Sequence, residues 1–562
     1  MKTCSVARNL FVALLMLMTM HESNAQSTRS STVAGRSTVY SPRGTIATSH
    51  PLASGAGLEV LLEGGNAFDA AVTAAAVLGV VEPHMTGIGG DMFAILWLAE
   101  EEKLLGLNGS GRAGSLMTLE EMERRGHDSV PIEGFEPITV PGALAGWAEL
   151  LKSHGTITLA RALRPAIRLA RDGFPVSPII ADQWAGEIEK LRRNPEATRV
   201  YLPDGQRAPV EGEWFVNADL ARTYQTIATE GPETFYGGTL GKTIVDHLAE
   251  NGGFLTVDDL KKHQSEWIKP VSVEYKGYKL WELPPNGQGI AALEMLRILE
   301  PYDLASMGHN SAQYLHYLIE AKKLAYADLA YYVADPDYMN ASVDDLLSDR
   351  FTMSRRAKLN ARGAAERPDP GELITKSDTI YLSAADEYGN MISFINSVSW
   401  EFGSGVVVPG TGFVLQNRGT GFTLEPGMAN TLAAGKRPFH TLVPAFVTRT
   451  AEDGSDEPWL SFGVMGGSMQ PQGHIQVLLN LLIFDMDLQE AIDAPRFRHI
   501  DGLDVALEAP ITEVSRAGLR SLGHNLIDWN PHWFGGAQAV MKLERGWAAA
   551  SDPRKDGMAV GH

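Results

Sequence analysis

Apolar positions along the chain follow two periodicities, which predict a mixed α/β protein. Residues 51–63 have helical spacing, and residues 70–81 are apolar on every face, which is typical of a buried helix. Short apolar runs with a period of two, bounded by glycine and proline, predict strands. Residues 119–359 are mainly helical, whereas strands dominate after Thr379 and helices return later. This order of elements predicts two sheets packed between layers of helices.

The pattern also predicts where the individual elements lie. Residues 271–282 alternate like a β-hairpin, and the Pro/Gly-rich residues 284–289 place backbone amides at the start of the next helix. Residues 355–375 are charged and contain glycine and proline, so we expect an exposed linker there. Helices are predicted over residues 51–63, 70–81, 143–153, 159–172, 219–230, 290–299, 311–331, 472–484 and 488–494, and strands over residues 44–50, 92–98, 104–107, 380–385, 391–396, 413–415, 442–448 and 459–463.

The first 25 residues have the pattern of a secretory signal peptide. Lys2 and Arg8 precede an apolar run over residues 10–20, and small residues at positions 23 and 25 fit a cleavage site before Gln26. The run is too short to span a bilayer comfortably, and an uncleaved amphipathic anchor is the alternative. We therefore expect an exported protein, periplasmic or secreted, without a membrane anchor after signal removal.

Composition and charge exclude several classes of function. The 562 residues are 44% hydrophobic and 21% charged, which is typical of a soluble globular α/β protein. A net charge of −20 repels nucleic acid and anionic membranes, so neither is an expected partner. The single cysteine, Cys4, precedes the apolar run, so the exported protein would have no thiol for disulfides, nucleophilic catalysis or metal binding.

Two glycine clusters lead to different predictions. Gly87, Gly89 and Gly90 follow a helix and precede a strand, whereas a dinucleotide-binding loop needs the reverse order. This cluster therefore does not predict nucleotide binding. Gly466 and Gly467 end a strand and lead toward a helix. Such adjacent glycines can direct two backbone N–H groups at one point, as an oxyanion hole requires, although a plain turn explains them equally well.

The segment from Lys376 to Asn390 holds a candidate nucleophile. Thr379 precedes a predicted strand with a turn at Gly389, which by itself is the pattern of an ordinary β-hairpin. A threonine hydroxyl is a weak nucleophile unless a base lies beside it. A cut between Asp378 and Thr379 would supply that base as the new α-amine. Both interpretations stay open on this segment alone.

Eight motifs occur in one order along the chain, and each is weak by itself. They are GGNAFDAA (64–71), EP with GIGGD (82–83 and 87–91), VPG (140–142), PPNGQG (284–289), the Thr379 segment, GKRP (435–438), GGS (466–468) and APR (494–496). Together they resemble the gamma-glutamyltransferase (glutathione hydrolase) family over about residues 44–550.

The resemblance implies an N-terminal-nucleophile hydrolase with a four-layer αββα sandwich. Its precursor would cut itself between Asp378 and Thr379, leaving residues 26–378 as the large fragment and residues 379–562 as the small one. The two fragments would stay together as a heterodimer that forms one αββα unit. Thr379 would be the nucleophile, and Gly466 and Gly467 would form the oxyanion hole. Water or an amine would take the acyl group, and neither a metal nor an organic cofactor is implied.

The resemblance also implies roles for four polar residues around the nucleophile. Ser397 aligns with the threonine that supports the nucleophile, and Ser399 aligns with a substrate-binding asparagine. His440 and Thr441 align with the Ser-Ser pair that binds the glutamyl carboxylate. All four positions therefore depart from the usual residue.

Two arginines and one glycine are relevant to which acyl group the enzyme would accept. The family's carboxylate-binding arginine aligns near Ser110, two residues from Arg112, which is either a carboxylate-binding group or an ordinary exposed arginine. The acidic residue that usually holds the glutamyl amino group aligns near Gly421, where no carboxylate stands. Losing that anion changes the preferred acyl group, whereas Arg112 and Arg418 remain to bind a carboxylate.

The sequence therefore predicts an enzyme that hydrolyses amides of acidic acyl groups. The family default is a γ-glutamyl compound such as glutathione. A cephalosporin (glutaryl) acylase of the same family is the alternative enzyme. A non-catalytic exported binding protein is the alternative outside the enzymes.

Overall fold

A computed structural model describes residues 35–369 and 379–562 of the chain. The predicted signal peptide, residues 1–25, and the predicted cleavage residue Asp378 lie outside these ranges. None of the helices in the two ranges combines the length and the apolar character needed to cross a lipid bilayer.

The described elements are numbered here in chain order. The strands are β1 (Val39–Ser41), β2 (Thr45–Thr48), β3 (Asp91–Leu98), β4 (Lys103–Asn108), β5 (Phe174–Pro175), β6 (Trp214–Phe215), β7 (Glu266–Ile268), β8 (Val271–Tyr275), β9 (Tyr278–Glu282), β10 (Ile380–Ala385), β11 (Met391–Ser397), β12 (Ala445–Thr450), β13 (Asp456–Met465), β14 (Phe497–His499), β15 (Asp504–Leu507), β16 (Asn525–Ile527), β17 (Gly536–Lys542), β18 (Trp547–Ser551) and β19 (Met558–Gly561). The helices are α1 (Pro51–Leu62), α2 (Ala67–Val81), α3 (Leu119–Arg124), α4 (Ala143–His154), α5 (Leu159–Asp172), α6 (Pro178–Gly186), α7 (Ile188–Leu191), α8 (Pro195–Tyr201), α9 (Ala218–Glu230), α10 (Thr239–Glu250), α11 (Val257–Lys262), α12 (Gly289–Leu299), α13 (Leu304–Met307), α14 (Ala312–Tyr332), α15 (Val343–Leu346), α16 (Asp349–Arg356), α17 (Met469–Leu482), α18 (Leu488–Asp493) and α19 (Glu513–Ser521).

Two antiparallel seven-stranded sheets form the centre of the molecule. The first has the strand order β19-β2-β10-β11-β3-β4-β7, and the second has the order β1-β18-β17-β13-β12-β9-β8. The sheets pack face to face, with β10 against β13 and β17, and β2 against β17 and β18. Helices α1, α2 and α4 contact strands of the first sheet, and α12, α17 and α18 contact strands of the second. The αββα sandwich is therefore confirmed.

Strand β10 is buried on both faces of its sheet. Ile380 and Leu382 belong to the hydrophobic cluster that includes α2, whereas Tyr381 and Ala385 belong to the cluster between the two sheets. Burying each large aliphatic side chain contributes about 2 kcal/mol. A slip by one residue would exchange the two sets of side chains, so the register of β10 is strongly specified.

Most predicted elements are confirmed within a few residues, but two segments differ. Residues 413–415 were predicted as a strand, yet Val414 makes only an isolated bridge. Residues 355–375 were predicted as an exposed linker. Residues 357–369 are exposed or half-buried, and residues 370–375 lie outside the described ranges. The start of the segment differs, because Arg355 lies buried in α16 with its Nε 2.6 Å from a carboxylate oxygen of Asp328. The sequence of the segment does not reveal that Arg355 is buried, because its ion-pair partner, Asp328, lies elsewhere in the chain.

The start of α1 leads to a prediction about pH and stability. The Nδ1 atom of His50 accepts the Leu52 N–H over 3.1 Å as the N-cap, and burial lowers the pKa of His50 from 6.5 to about 4. As the pH falls, His50 is therefore protonated in the unfolded chain before it is protonated in the folded protein. The stability that neutral, buried His50 contributes is lost as the pH falls from about 6.5 toward 4. Asparagine is a good N-cap that does not titrate. Between pH 7 and pH 5 we expect the wild-type protein to lose about 1–2 kcal/mol more unfolding free energy than His50→Asn, as measured by urea unfolding. Equal losses in the two proteins would contradict this account.

Candidate active site

The two predicted hydroxyl groups meet at one end of the β10–β11 hairpin. Thr379 immediately precedes β10, and Ser397 ends β11; the register pairs Ile380 with Asn396, which sets Thr379 opposite Ser397. Thr379 Oγ1 donates a hydrogen bond to Ser397 Oγ over 3.3 Å, and both side chains are fully buried. Ser397 Oγ also accepts the Ser399 N–H over 2.8 Å. The hairpin thus holds the Thr379 hydroxyl at the end of a strand whose position is fixed by packing.

The first glycine cluster packs directly against this end of the hairpin. A Cβ on Gly90 would lie 2.1 Å from the carbonyl oxygen of Ser397, and a Cβ on Gly89 would lie 2.0 Å from that of Val414. Only glycine permits so close an approach of two backbones. The cluster brings Asp91, the first residue of β3, opposite Ser397 in the sheet. The close approach of the neighbouring backbones therefore explains why Gly89 and Gly90 are glycines.

The second glycine cluster forms a turn after β13 with two available amides. Gly466 has a φ of 120° and Gly467 a φ of 60°, both in the region that favours glycine. Within the described part of the chain, neither of their N–H groups donates a hydrogen bond. Gln288 Nε2 fixes the turn by donating to the carbonyl oxygens of Gly467 over 2.8 Å and Thr441 over 2.7 Å. The two amides are therefore available to stabilise a developing negative charge.

Asp91 is a buried carboxylate that we did not predict as a site residue. Its Oδ1 accepts the N–H groups of Gly111 and Gly142, each over 3.0 Å, and its Oδ2 lies 3.1 Å from His440 Nε2. Burial opposes ionisation, yet the hydrogen bond from His440 and the charge of Arg418 hold the pKa of Asp91 below its usual value. Asp91 is therefore a permanent buried anion within the site.

The protonation of His440 follows from its two neighbours. His440 Nδ1 accepts the Leu442 N–H over 3.2 Å, so the ring proton lies on Nε2 and is donated to Asp91. Burial and the nearby charge of Arg418 lower the pKa of His440 to about 4. The ring is thus neutral at physiological pH. It packs against Phe93 with 4.6 Å between the ring centres.

Arg418 is a buried guanidinium with donors that have no partner. Its Nη1 donates to Thr441 Oγ1 over 2.9 Å, while Nε and Nη2 have no hydrogen-bond partner in the described part of the chain. Burial lowers the pKa of Arg418 to about 10, against the opposing effect of Asp91, so the group is a cation at neutral pH. A buried cation with unsatisfied donors is costly unless an anion binds it. The carboxylate of an acyl group has the chemistry that these donors require.

Arg112, the other predicted carboxylate-binding residue, already has acidic partners. Its Nη1 lies 3.1 Å from Asp335 Oδ2 and its Nη2 lies 3.5 Å from Glu266 Oε1. The side chain is 37% exposed. Two carboxylates thus balance its charge. Of the two predicted arginines, Arg418 is the one with buried donors that lack partners.

Gly421 has no space for the carboxylate whose absence we noted in the sequence. A Cβ on Gly421 would lie 2.3 Å from the carbonyl oxygen of Phe439. An acidic side chain at this position would therefore require the backbone of Phe439 to move. In this fold the site is built around an arginine, Arg418, and the buried carboxylate whose charge acts on it, Asp91, already accepts three hydrogen bonds.

Known proteins resemble this chain in sequence and in fold. The family model for gamma-glutamyltranspeptidase matches residues 53–562. The glutathione hydrolase-like YwrD proenzyme of Bacillus subtilis (strain 168) is 38% identical, over 92% of this chain and 98% of the relative. The Acylase ACY 1 proenzyme of Pseudomonas sp. (strain SE83) is 35% identical, over 89% of each chain. The crystal structure of cephalosporin acylase from Bacillus halodurans is 40% identical with a TM-score of 0.89, and the match covers 96% of this chain and 99% of that one. The predicted family is confirmed: the chain belongs to the gamma-glutamyltranspeptidase family.

Proposed function

We propose that the protein is a self-cleaving threonine hydrolase that acts on γ-glutamyl amides such as glutathione and passes the acyl group to water or to an amine. The observation that carries this proposal is the Thr379 hydroxyl, held at the end of buried strand β10 and 3.3 Å from Ser397 Oγ. Membership of the family supports enzymatic activity, and the proenzyme names of the relatives support self-cleavage. Residues 1–25 support export to the periplasm or the medium.

Maturation would occur at the bond between Asp378 and Thr379. Thr379 Oγ attacks the Asp378 carbonyl carbon, the C–N bond breaks as the nitrogen takes a proton, and water hydrolyses the resulting ester. The fragments, residues 26–378 and 379–562, would stay associated because each sheet contains strands from both. In the first sheet, β10 and β11 of the small fragment lie between β2 and β3 of the large one.

Turnover would use the new N-terminus. The α-amine of Thr379 takes the hydroxyl proton as Oγ attacks the amide carbonyl of the substrate, and the N–H groups of Gly466 and Gly467 stabilise the oxyanion. The amine leaves with that proton, and water or a second amine then releases the acyl group from Thr379. Ser397 positions the nucleophile through its hydrogen bond. These steps require neither a metal nor an organic cofactor.

Substrate recognition would centre on Arg418. The acyl carboxylate would accept hydrogen bonds from Nε and Nη2, which have no other partner in the described part of the chain. Thr441 holds the guanidinium through Nη1, and neutral His440 connects the site to the buried charge of Asp91. Ser399 supports Ser397 through its N–H group, and Arg112 lies at the periphery of this network.

A glutaryl-type acylase is the second candidate function, and the contact at Gly421 favours it. A glutaryl group has the carboxylate that Arg418 requires but lacks the ammonium that a γ-glutamyl group brings. With no room for a carboxylate at Gly421, the described site offers that ammonium no obvious counter-ion. The relatives include both a glutathione hydrolase-like proenzyme and an acylase proenzyme.

Three chromogenic amides test this proposal and separate the two candidates. We expect the purified protein to hydrolyse γ-glutamyl-p-nitroanilide and glutaryl-p-nitroanilide about 100-fold faster, in kcat/KM, than valeryl-p-nitroanilide, which has the same chain length but no carboxylate. Faster release from the glutaryl than from the γ-glutamyl amide would replace the glutathione assignment with the acylase. Equal rates on all three amides would contradict recognition of an acidic acyl group.

A further inference from the structure

A polar cavity lies near the Gly466–Gly467 turn, to which Tyr326 connects it through the Ser468 carbonyl, and none of the proposed active-site residues lines it. Its volume is about 300 Å³. Lys322 and Tyr326 of α14 line one side, and His499 and Asp501 line another. These two sides come from the two proposed fragments. The cavity is therefore an interface between them.

Lys322 is the buried cation of this cavity. Its side chain is 4% exposed, and its Nζ donates to His499 Nδ1 over 2.9 Å and lies 4.0 Å from the centre of the Tyr326 ring. His499 Nε2 donates to the Gly502 carbonyl oxygen over 3.0 Å, so Nδ1 carries the lone pair that faces Lys322. Within the described part of the chain, no carboxylate forms an ion pair with Lys322.

Charges of both signs line the rest of the cavity: Lys323 and Arg367, and the carboxylates of Glu366, Asp369 and Asp501. Asp501 lies 3.2 Å from Arg367, and Lys323 lies 2.9 Å from Glu320. Burial is the main cause that lowers the pKa of Lys322 to about 7. A buried amine in this situation keeps its proton firmly only when an anion lies beside it.

We propose that this cavity binds a small anion, a phosphate or a carboxylate, with Lys322 Nζ as the charged contact. A lysine ammonium has three N–H donors, and His499 accepts only one of them. The volume is at the lower limit of ligand pockets and suits a ligand of a few heavy atoms. A bound anion would contact residues of both fragments.

The cavity is connected to the glycine turn by hydrogen bonds. The Tyr326 hydroxyl donates to the Ser468 carbonyl oxygen over 2.5 Å, one residue after Gly467. Gln472 Nε2 donates to the carbonyl oxygens of Ser468 over 3.0 Å and His499 over 3.3 Å. The anion would therefore be connected by a few hydrogen bonds to the turn that carries the proposed oxyanion-hole amides.

Calorimetric titration of the full-chain protein with inorganic phosphate, and separately with acetate, tests the proposal. We expect saturable phosphate or acetate binding to wild type that is at least tenfold weaker in Lys322→Met, whose side chain has a similar length without charge. Arg418→Met is the matched control because Arg418 is another buried cation with free donors; the component of anion binding that Lys322→Met loses should persist in this variant. Loss of binding in Arg418→Met with retention in Lys322→Met would place the anion in the active site and overturn the proposal.

Thermal unfolding supplies a second measurement. Whichever anion binds should raise the Tm of wild type and of Thr379→Ala alike, and should raise that of Lys322→Met clearly less. Persistence in Thr379→Ala separates this site from the proposed reaction, which that variant cannot perform. Lys322→Gln, which keeps a donor for His499, replaces the methionine variant if the latter does not fold. An equal rise in the Lys322 variant, or no rise in wild type with either anion, would overturn the proposal.

Discussion

Replacing Thr379 by alanine is expected to leave the chain uncut and without amidase activity. Denaturing electrophoresis of the wild-type protein should show two fragments, the smaller beginning at Thr379, whereas Thr379→Ala should remain one band. The rate of γ-glutamyl or glutaryl anilide release should fall by more than about 10³-fold, because the substitution removes the attacking oxygen itself. Mass spectrometry of the fragments and a chromogenic assay measure the two effects.

Thr379→Ser is the matched control for this experiment. Serine keeps the hydroxyl and, after cleavage, the α-amine, so we expect it to be cut and to retain activity. The alanine variant should still fold, because Thr379 Oγ1 contributes a long hydrogen bond to Ser397, worth about 1 kcal/mol at most. A wild-type protein that stays a single band on incubation would instead favour the non-catalytic binding protein. Cleavage of Thr379→Ala at the same bond would exclude Thr379 as the nucleophile.

Local patterns in the sequence were enough to predict the elements that carry the nucleophile. The alternation in residues 380–385 and the Gly389 turn predict the β10–β11 hairpin, and the all-round apolar run at residues 70–81 predicts the buried helix beneath it. These elements are specified by their own periodicity. The order of the eight motifs additionally indicated the family and, with it, the αββα fold, which no single periodicity specifies.

Contacts between distant residues could not be predicted in the same way. Asp91 and His440 are separated by 349 residues, and nothing in either local sequence indicates that they meet. Gln288 lies within the PPNGQG motif, so the motif marked its location, but the contact with Gly467 requires the fold. The free donors of Arg418 and the acidic partners of Arg112 are likewise properties of the tertiary structure.

Substitution of Arg418 is expected to separate substrate recognition from maturation. In Arg418→Met the acyl carboxylate would enter a buried site without its cation, at a cost of about 3–4 kcal/mol. The kcat/KM for γ-glutamyl or glutaryl anilide should therefore fall about 100-fold to 1,000-fold. Hydrolysis of valeryl anilide should change less than about threefold, and cleavage before Thr379 should proceed, because neither requires a carboxylate at Arg418.

Arg112→Met is the matched control, since it removes the same side chain from the other predicted position. Arg112 lies within 3.5 Å of Asp335 and Glu266, so its loss should lower kcat/KM for the acidic substrates less than about tenfold. Asp91 remains satisfied in Arg418→Met because Gly111, Gly142 and His440 still donate to it, so the surrounding site should persist. A parallel loss on valeryl anilide would mean that Arg418 acts structurally. A larger effect at Arg112 than at Arg418 would move carboxylate recognition to the residue first indicated by the family alignment.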